Sequence, residues 1–445
     1  MRKLTSNQWF VLTLWLVLLM LSGATFTINN ADYFRIASSF LGDIPFQDPN
    51  MALSWQMKAH FVPIWQLHEL SVYSVIVYAY ARLLSLFTSW FDLMMLASLL
   101  KLLFLMQLFL LSKVFLNYKK VHHYLIFSLL IIPLCSSSIV AFLASFYPDS
   151  IVIVTLPVIC YLLIKPVKYS ATLLFVFATM VACTKTQFFY FPLLILIAIG
   201  LFDRKFNKRT TIVLLVSFAL SVVFVLMSGK STDLNKYHSN YFGGYLYQKL
   251  NNLEIDKAVD LNCVGIDIWG SQYDLQLGRV IAPEETNSCF RRHRSDVSFF
   301  KTFKIFIESP ILLAKLSFDT GIQRQMTEDY FFLGYHNKYV VTHDRFISSV
   351  TQLKDRIFTP WRFLISFLIT ITSIFLYRVP NAKLLFILGG FSSSQFYVTF
   401  FGEGYRDMSR HLFAMNFSFD LLIFVSLLMI IEGIHTLQKS QRASQ

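Results

Sequence analysis

One short stretch, N-N-A-D-Y-F-R from Asn29 to Arg35, carries an acid and a cation directly after the first long apolar run. Asp32 and Arg35 are three residues apart, a spacing that puts two side chains on one face if the segment is helical. A carboxylate can remove a proton from a hydroxyl group, and a guanidinium binds phosphate oxygens. We therefore expect this stretch to form the head of an active site at the lipid–water boundary.

Three more groups of polar residues stand at the ends of apolar runs. They are Asp149 in S-F-Y-P-D-S, Lys185 and Gln187 in T-K-T-Q, and Glu403, Arg406, Asp407, Arg410 and His411 in the loop 402–411. Ionisable groups at membrane depth are costly unless they are paired or hydrated, so they mark functional sites. Taken singly, each is most simply a solvated loop charge. Together, on one side of the membrane, they predict a shared cavity.

Lys101 lies inside an apolar run, about two helical turns from its outer end. Its long side chain could extend to the interface and serve no function. Alternatively, it could bind the phosphate of a lipid donor or pair with Asp32 or Asp149. The sequence leaves both interpretations open.

The composition identifies a polytopic membrane protein. The chain is 55% hydrophobic and 17% aromatic, with 46 Phe and a mean hydropathy of +0.55, which soluble domains do not reach. The net charge of +13 comes from short basic bursts between apolar runs, as the positive-inside rule produces. This pattern argues against nucleic-acid binding and predicts the bilayer as a partner.

The alternation of apolar runs and basic turns predicts ten spans with a cytoplasmic N-terminus. The spans are Trp9–Ile28, Leu93–Leu116, Tyr124–Ala144, Ile151–Ile164, Ala171–Cys183, Phe188–Leu201, Thr211–Met227, Trp361–Tyr377, Leu384–Phe401 and Leu412–Ile431. Parity leaves Ile64–Phe91 as an interfacial or re-entrant helix at the external surface. The alternative is that it spans the membrane and another assignment fails.

The predicted organisation has three parts. Residues 1–228 form an N-terminal bundle whose first external loop, 29–92, is catalytic, residues 229–360 form an external domain, and residues 361–445 hold the last spans and the loop 402–411. Cys263 and Cys289 fall in the external domain, where a disulfide is the simplest expectation and two free thiols the alternative. Such a disulfide stabilises by about 3 to 4 kcal/mol in the chain-entropy model.

Several classes of site have no motif in this chain. A P-loop, a dinucleotide-binding glycine fingerprint, H-E-x-x-H and G-x-S-x-G are all missing from the sequence. No metal site can be read from the histidine spacing, so no cofactor is required, although a divalent metal is not excluded. A carboxylate-led external site with flanking cations fits transfer from a lipid-phosphate-linked sugar, because cations stabilise the phosphate leaving group. The predicted class is a membrane glycosyltransferase.

Several motifs along nearly the whole chain resemble the serotype-specific O-antigen glucosyltransferases of phage serotype-conversion cassettes, often called GtrS. They include A-S-F-Y-P-D-S-I-V-I at 144–153, T-K-T-Q-F at 184–188, L-N-K-Y-H-S-N-Y-F-G-G-Y-L-Y at 234–247, C-V-G-I-D-I-W-G at 263–270 and S-Q-F-Y-V-T-F-F-G-E-G-Y-R-D-M-S-R-H-L-F at 394–413. The resemblance implies a GT-C-like, all-α bundle in the bacterial inner membrane. It also implies transfer of glucose from undecaprenyl phosphate to periplasmic O-antigen, with a companion lipid-glucose synthase and flippase.

The resemblance carries the role of general base onto Asp32. Where the family has D-F-G-R this chain has D-Y-F-R, and Pro148 and Asp149 replace an expected Gln and Glu, which leaves the base open between Asp32 and Asp149. Arg35, Lys101, Lys185, Arg406, Arg410 and His411 are assigned to the donor phosphate, and Gln187, Glu403 and Asp407 to orienting the acceptor. The competing functions are a lipid-linked-sugar flippase or transporter, and an O-antigen polymerase or ligase.

Overall fold

The structure of the chain is a computed structural model. It describes residues 5, 8, 10–15, 25–28, 33–42, 44, 52–203, 207–276, 278–328, 330, 333–335, 338–339 and 348–443. Most of these residues are helical, but the fold is not purely α-helical, since the described residues include seven short strands that form three antiparallel sheets.

The helices of ten residues or more fall into two groups along the chain. In the first half they are Val72–Leu84, Leu93–Ser112, Val121–Leu130, Ser150–Ile164, Ser170–Ala182, Phe191–Phe202 and Lys208–Met227. In the second half they are Phe299–Glu308, Ser349–Phe358, Arg362–Phe375, Ala382–Glu403 and Phe413–Ala443. Shorter α-helices are Tyr33–Ala37, Ser137–Leu143, Gly229–Tyr237, Tyr245–Leu250, Cys289–His293, Ile311–Leu316, Thr320–Gln323 and Met408–His411.

Four of these helices in the described part of the chain are long and apolar enough to cross a membrane. They are Leu93–Ser112, Lys208–Met227, Ala382–Glu403 and Phe413–Gln438, and the bent pair Ser349–Phe358 and Arg362–Phe375 makes a fifth if it counts as one span. Five further apolar helices are shorter, such as Ser150–Ile164. At about 1.5 Å per residue, each of these is shorter than a hydrocarbon core of about 30 Å. The structure thus supports a multi-span helical protein but not the count of ten.

The predicted span Tyr124–Ala144 is wrong as a continuous helix. The structure divides it into Val121–Leu130, a 3₁₀ turn at Pro133–Cys135 and Ser137–Leu143. Pro133 lacks a backbone N–H and its ring clashes with the preceding turn, so an α-helix does not continue through it. The break leaves a run of buried serines, Ser136 to Ser138, in the protein interior.

The ends of the predicted span Trp9–Ile28 differ from each other. Residues 10–15 are helical, whereas Thr25–Thr27 form a strand that pairs with Leu333–Tyr335. T-F-T is a sequence of β-branched and aromatic residues, which fit a strand better than a helix end. Lys338–Tyr339 completes this sheet.

The segment predicted as the interfacial helix Ile64–Phe91 contains a shorter helix. A 3₁₀ turn at Ile64–Gln66 precedes the helix Val72–Leu84, and Trp90–Asp92 is a strand paired with Ser54–Gln56. Ser71 caps the helix by accepting from the Ser74 backbone, while Ser74 returns the bond, a reciprocal capping box.

The helix Ala382–Glu403 forms the centre of the bundle. Within its most apolar window 78% of the residues are buried, against 17% for Lys208–Met227. It packs against Arg362–Phe375, Phe413–Ala443 and Phe191–Phe202. The outer helix Lys208–Met227 instead exposes apolar side chains, as a lipid-facing helix does.

The polar segment 229–328 builds a second apolar core on the end of this central helix. Tyr237, Phe242, Leu246 and Phe306 pack there with Phe396, Phe400 and Tyr405. Cys263 and Cys289 form a disulfide with Cα atoms 5.6 Å apart, the pairing that the sequence predicts. The strands Ser271–Asp274 and Gly278–Ile281 form a hairpin in the same segment.

Gly404 ends the central helix and turns the chain into the loop 402–411. Its φ of +62° lies in a region that favours glycine, and a Cβ atom there would be 2.3 Å from the Phe242 carbonyl oxygen. The turn brings the Tyr405 amide within 2.9 Å of the same oxygen. Gly404 therefore fixes how the loop meets the polar segment.

We predict that Gly404→Ala lowers the apparent melting temperature of the purified protein. A non-glycine residue in this sparsely populated conformation costs about 1–3 kcal/mol before the clash with Phe242 is added. Gly402→Ala is the matched control, because no atom lies within 4 Å of its added Cβ and alanine favours a helix. Equal melting temperatures for the two variants would contradict this role of Gly404.

Candidate functional site

A cavity of about 1240 Å³ opens between the first helices and the end of the central helix. One end of its wall is polar. The polar lining residues include Arg35, His68, Glu69, Lys185, Gln187, Asn235, Glu403 and His411. The cavity thus joins three of the four places that the sequence predicts to meet, the segment after the first apolar run, the T-K-T-Q turn and the loop 402–411. The fourth, the turn that holds Asp149, does not line it, and the polar segment contributes Asn235.

The other part of the wall is apolar. Val72, Val75 and Ile76 line it from the helix Val72–Leu84, and Leu220, Val223, Phe224 and Met227 line it from Lys208–Met227. The second helix is the lipid-facing candidate span, on which Val223 is 51% exposed and Met227 73% exposed. The cavity is therefore amphiphilic, with an apolar side that continues toward the lipid-facing surface.

Lys185 and Asp149 form an ion pair beside the polar end. The Lys185 Nζ atom lies 2.6 Å and 2.9 Å from the two carboxylate oxygens of Asp149. Asp149 precedes the helix Ser150–Ile164 and is fully buried, whereas the Lys185 side chain is 15% exposed and lines the cavity. The helix N-terminus favours a carboxylate at this position. Asp149 therefore holds Lys185 against the wall and does not itself line the cavity.

Glu403 lies between two histidines. One carboxylate oxygen of Glu403 lies 2.9 Å from His238 Nδ1, and the other lies 3.9 Å from His411 Nε2. The pKa of His411 is lowered to about 4, chiefly because burial disfavours the imidazolium; Lys185 and Arg410 act in the same direction and Glu403 opposes them. The low pKa favours the neutral imidazole at pH 7, which can still donate a hydrogen bond. The predicted contact of His411 with the donor phosphate stays a prediction.

Gln187 bridges the turn to the central helix. Its side-chain amide donates to Gln395 Oε1 at 3.3 Å and to the His411 carbonyl at 3.4 Å. The predicted grouping of Lys185, Gln187, Glu403 and His411 is thus present around one cavity.

Three of the predicted phosphate ligands do not line this cavity in the described part of the chain. Lys101 is buried within the helix Leu93–Ser112. The Arg410 guanidinium stacks over the Tyr147 ring, 4.5 Å from its centroid. Arg406 points into the polar segment, where its Nε is 3.0 Å from Asp267 and its guanidinium lies 3.9 Å from the Trp269 ring centroid.

Asp407 also faces the polar segment. Its carboxylate pairs with Arg406 and with Arg279, at 2.9 Å in each case. Arg406 and Asp407 therefore attach the loop 402–411 to the polar segment, a structural role that the short sequence G-E-G-Y-R-D does not distinguish from ligand binding.

The predicted base Asp32 lies outside the described residues. Arg35, three residues later, lines the cavity and is 4.0 Å from Glu69. Glu69 and His68 are cavity residues that the sequence analysis missed. Their signal was present, because His68, Glu69 and Arg82 interrupt an otherwise apolar and aromatic segment.

A network of buried charges lies apart from the cavity. The Lys354 ammonium is 2.5 Å from Glu328, 2.5 Å from Asp420 and 2.9 Å from the Ser136 hydroxyl. Ser138 donates to the same Glu328 carboxylate at 2.7 Å. These side chains are at most 4% exposed, so each charge is stabilised by its partners and not by water.

Arg362 extends this network across the bend in the helix pair. Its guanidinium lies 2.9 Å from Glu328 and 2.9 Å from Asp355 and is fully buried. Burial raises the pKa of Glu328, but Lys354 and Arg362 outweigh it, so the net shift is downward and the carboxylate is ionised. The sequence analysis did not predict this network, although Asp420 within an apolar span was a signal for it.

One group of described side chains comes close enough to suggest a metal site. Asp260, Cys263 and His293 bring their ligand atoms within 4.8 Å of one another. The Cys263 sulfur is bound in the disulfide with Cys289, so it is not a thiolate ligand. The group therefore offers two ligands, fewer than a structural site uses.

Comparison with known proteins places the chain in a family. A protein of Escherichia coli strain K12, described as uncharacterized protein YfdI, is 34% identical over 430 residues, which are 96% of this chain and 95% of that protein. The chain belongs to the YfdI family. A family profile described as the YfdI N-terminal transmembrane domain matches residues 305–445, and no solved structure matches the chain. The profile match supports its transmembrane character, and the matched range includes the charged residues of the buried network and the loop 402–411.

We predict that Lys354→Met strongly destabilises this YfdI family protein. Removing one member leaves two buried carboxylates without their shared partner, which costs about 3–5 kcal/mol. The control is Lys304→Met, since Lys304 pairs with Glu308 at 3.6 Å but is 62% exposed, and such pairs contribute about 0–1 kcal/mol. The measurement is thermal unfolding in detergent, monitored as the loss of the monodisperse peak in size-exclusion chromatography. Unfolding of both variants at the wild-type temperature would refute the stabilising role.

Proposed function

We propose that this protein is a membrane glycosyltransferase that moves glucose from undecaprenyl-phosphate-glucose to the O-antigen of lipopolysaccharide. The observation that carries the proposal is the amphiphilic cavity, which offers a polar end and an apolar wall in one space. A polyprenyl-phosphate sugar has the same two parts, since a sugar phosphate is joined to a long hydrocarbon chain. The choice of glucose and O-antigen is supported by the motifs at 144–153, 184–188 and 394–413, which resemble those of O-antigen glucosyltransferases.

The apolar wall suits the polyprenyl chain. Leu220, Val223 and Met227 face both the cavity and the exposed side of a candidate span. A polyprenyl chain lying along this helix reaches the bilayer without burying a polar group, because it contacts only apolar side chains and lipid.

The polar end suits the phosphate and the transferred sugar. Arg35 and Lys185 are the cations on its wall, and both stabilise the negative charge that develops on a departing phosphate. Asp149 orients Lys185 at 2.6 Å, so in this proposal Asp149 positions the cation and is not the base. Gln187, Glu403 and neutral His411 supply hydrogen-bonding groups for sugar hydroxyls.

The proposed reaction is a direct displacement. A carboxylate takes the proton of an acceptor hydroxyl, the hydroxyl oxygen forms a bond to the anomeric carbon, and the bond from that carbon to the phosphate oxygen breaks. Undecaprenyl phosphate leaves with the bonding electrons, and the anomeric configuration inverts. Asp32 stays our assignment for the base, and Glu69 and Glu403 are the competing carboxylates because both line the cavity.

The experiment is O-antigen analysis of a host that lacks side-branch glucose. The host expresses the companion synthase and flippase together with the wild-type chain or with Asp32→Asn, Glu69→Gln or Glu403→Gln. Glu308→Gln is the control, because Glu308 is 63% exposed and does not line the cavity. Mass spectrometry and linkage NMR measure hexose per repeat.

We expect a gain of one hexose per repeat with the wild-type chain and the control, and a loss of at least about 100-fold in Asp32→Asn, the effect of removing a general base. Full activity of Asp32→Asn would move the base to whichever glutamate variant is inactive. An unmodified O-antigen with well-expressed wild-type protein would contradict glucosyl transfer to that acceptor.

One observation favours a second function, transport of a lipid-linked sugar. Ser349–Phe358 and Arg362–Phe375 are bent by 65° at a short break, and broken helices with buried charges are typical of secondary transporters. A transporter would leave the O-antigen unmodified in the experiment above. It would instead restore glucosylation by a separate transferase when the companion flippase is omitted.

A further inference from the structure

A second cavity, of about 750 Å³, lies on the other side of the loop 402–411. Glu403 and His411, near the two ends of the loop, line the first cavity, whereas Tyr405, Asp407 and Ser409 between them line the second. The loop is therefore a partition whose two faces belong to two different cavities.

The partition is fixed from the side of the second cavity. The Gln325 side chain donates to the Tyr405 carbonyl at 2.8 Å and accepts from the Met408 amide at 3.0 Å. Gln325 itself lines the second cavity. A ligand there would contact a wall that is held in place, not a loose loop.

The charges on the second cavity wall balance. Arg279 pairs with Asp407 at 2.9 Å, Asp274 accepts from the Gln276 amide at 2.8 Å, and Arg324 donates to the Leu275 carbonyl. Two guanidinium groups thus stand against two carboxylates on this wall. Such a surface favours hydroxyl groups, which donate and accept, over a phosphate, which needs an excess of cations.

Aromatic rings form part of the same wall. The Tyr273 and Tyr405 rings have centroids 5.1 Å apart. Tyr273 lies on the exposed hairpin and is partly accessible. Its hydroxyl oxygen packs against Gly321, on which an added Cβ atom would lie only 2.2 Å from that oxygen. An accessible ring among hydrogen-bonding side chains presents an apolar face and polar edges, the two features that a pyranose ring presents in return.

We infer that the second cavity binds uncharged sugar residues of the acceptor glycan, next to the residue that receives the transferred sugar. This inference rests on the proposed function, because it makes the partition the boundary between donor and acceptor. The sugar residue that is modified then lies at the edge of the partition, where Glu403 and His411 face the donor. The first cavity holds the lipid, and the second selects the polysaccharide.

The test compares two cavity variants with a control on the same hairpin. Tyr273→Leu removes the ring, and Ser409→Tyr fills the cavity while the Tyr273 ring is retained. Gln272→Ala is the control, since Gln272 is exposed on the same strand but is not part of the cavity wall. Each purified full-length protein is assayed with undecaprenyl-phosphate-glucose and with delipidated O-polysaccharide of the strain that carries the gene.

We expect both cavity variants to raise the KM for O-polysaccharide at least about tenfold with kcat within about threefold, the pattern of lost binding and not of lost chemistry. Donor binding, measured by native mass spectrometry, should stay at the wild-type level. An unchanged acceptor KM in both folded variants would overturn the inference.

Saturation-transfer difference NMR with the same O-polysaccharide separates this inference from the proposed function. If the wild type transfers no glucose but binds the polysaccharide, and Tyr273→Leu and Ser409→Tyr both lose the signal, the saccharide site stands and glucosyl transfer fails. If the wild type transfers glucose and neither variant affects acceptor binding, transfer stands and the second cavity is not the acceptor site.

Discussion

The described structure depends most on the need to satisfy buried charges where water is scarce. Lys354, within 2.5 Å of both Glu328 and Asp420, joins the end of the polar segment to the last long helix. Arg362 continues the network across the bend between Ser349–Phe358 and Arg362–Phe375. Each charge is stable only while its partners are in place, so the network fixes the relative positions of helices that apolar packing alone would leave free to slide.

The same constraint explains two interruptions of the helices. The break at Pro133 delivers Ser136 and Ser138 to Lys354 and Glu328, which supplies hydrogen bonds that a continuous apolar helix would lack. At the other end, Gly404 stops the central helix so that Glu403 faces one cavity and Tyr405 the other. The breaks in these helices therefore position polar groups, and the candidate site is formed by residues near the helix ends.

The sequence predicts part of the grouping around the candidate site. Lys185, Gln187, Glu403 and His411 were expected to share a cavity because charges near the ends of apolar runs are costly when unpaired, and all four line one. Arg406 and Asp407 satisfied the same criterion but pair with Asp267 and Arg279 of the polar segment. A one-dimensional pattern shows that a charge needs a partner and not which partner it has.

Hydropathy did not fix the helix boundaries, and it marked Asp420 inside an apolar span without identifying the partners of Asp420 in the buried network. Pro133 was a visible signal for the break in its apolar run, but a proline alone does not decide a break, because Pro157 lies inside the continuous helix Ser150–Ile164. Lys354 lies in a polar stretch and looks solvated until Asp420 is found beside it. Glu69 was missed for a similar reason, because its segment was assigned by parity and not by what its side chains face. The disulfide between Cys263 and Cys289 was predictable, since two cysteines in one polar segment permit a single intramolecular pair.

In the proposed function, the amphiphilic cavity holds the lipid-linked donor, with its hydrocarbon along the outer helix Lys208–Met227. Photo-crosslinking tests it most directly: purified protein is labelled with an undecaprenyl phosphate analogue that carries a diazirine in its first isoprene units, and the labelled peptide is sequenced. We expect label on the helix Lys208–Met227 near Leu220 and Val223, and we expect undecaprenyl-phosphate-glucose to compete with it. Label confined to another lipid-facing helix such as Leu93–Ser112, or label that the donor does not compete, would contradict it.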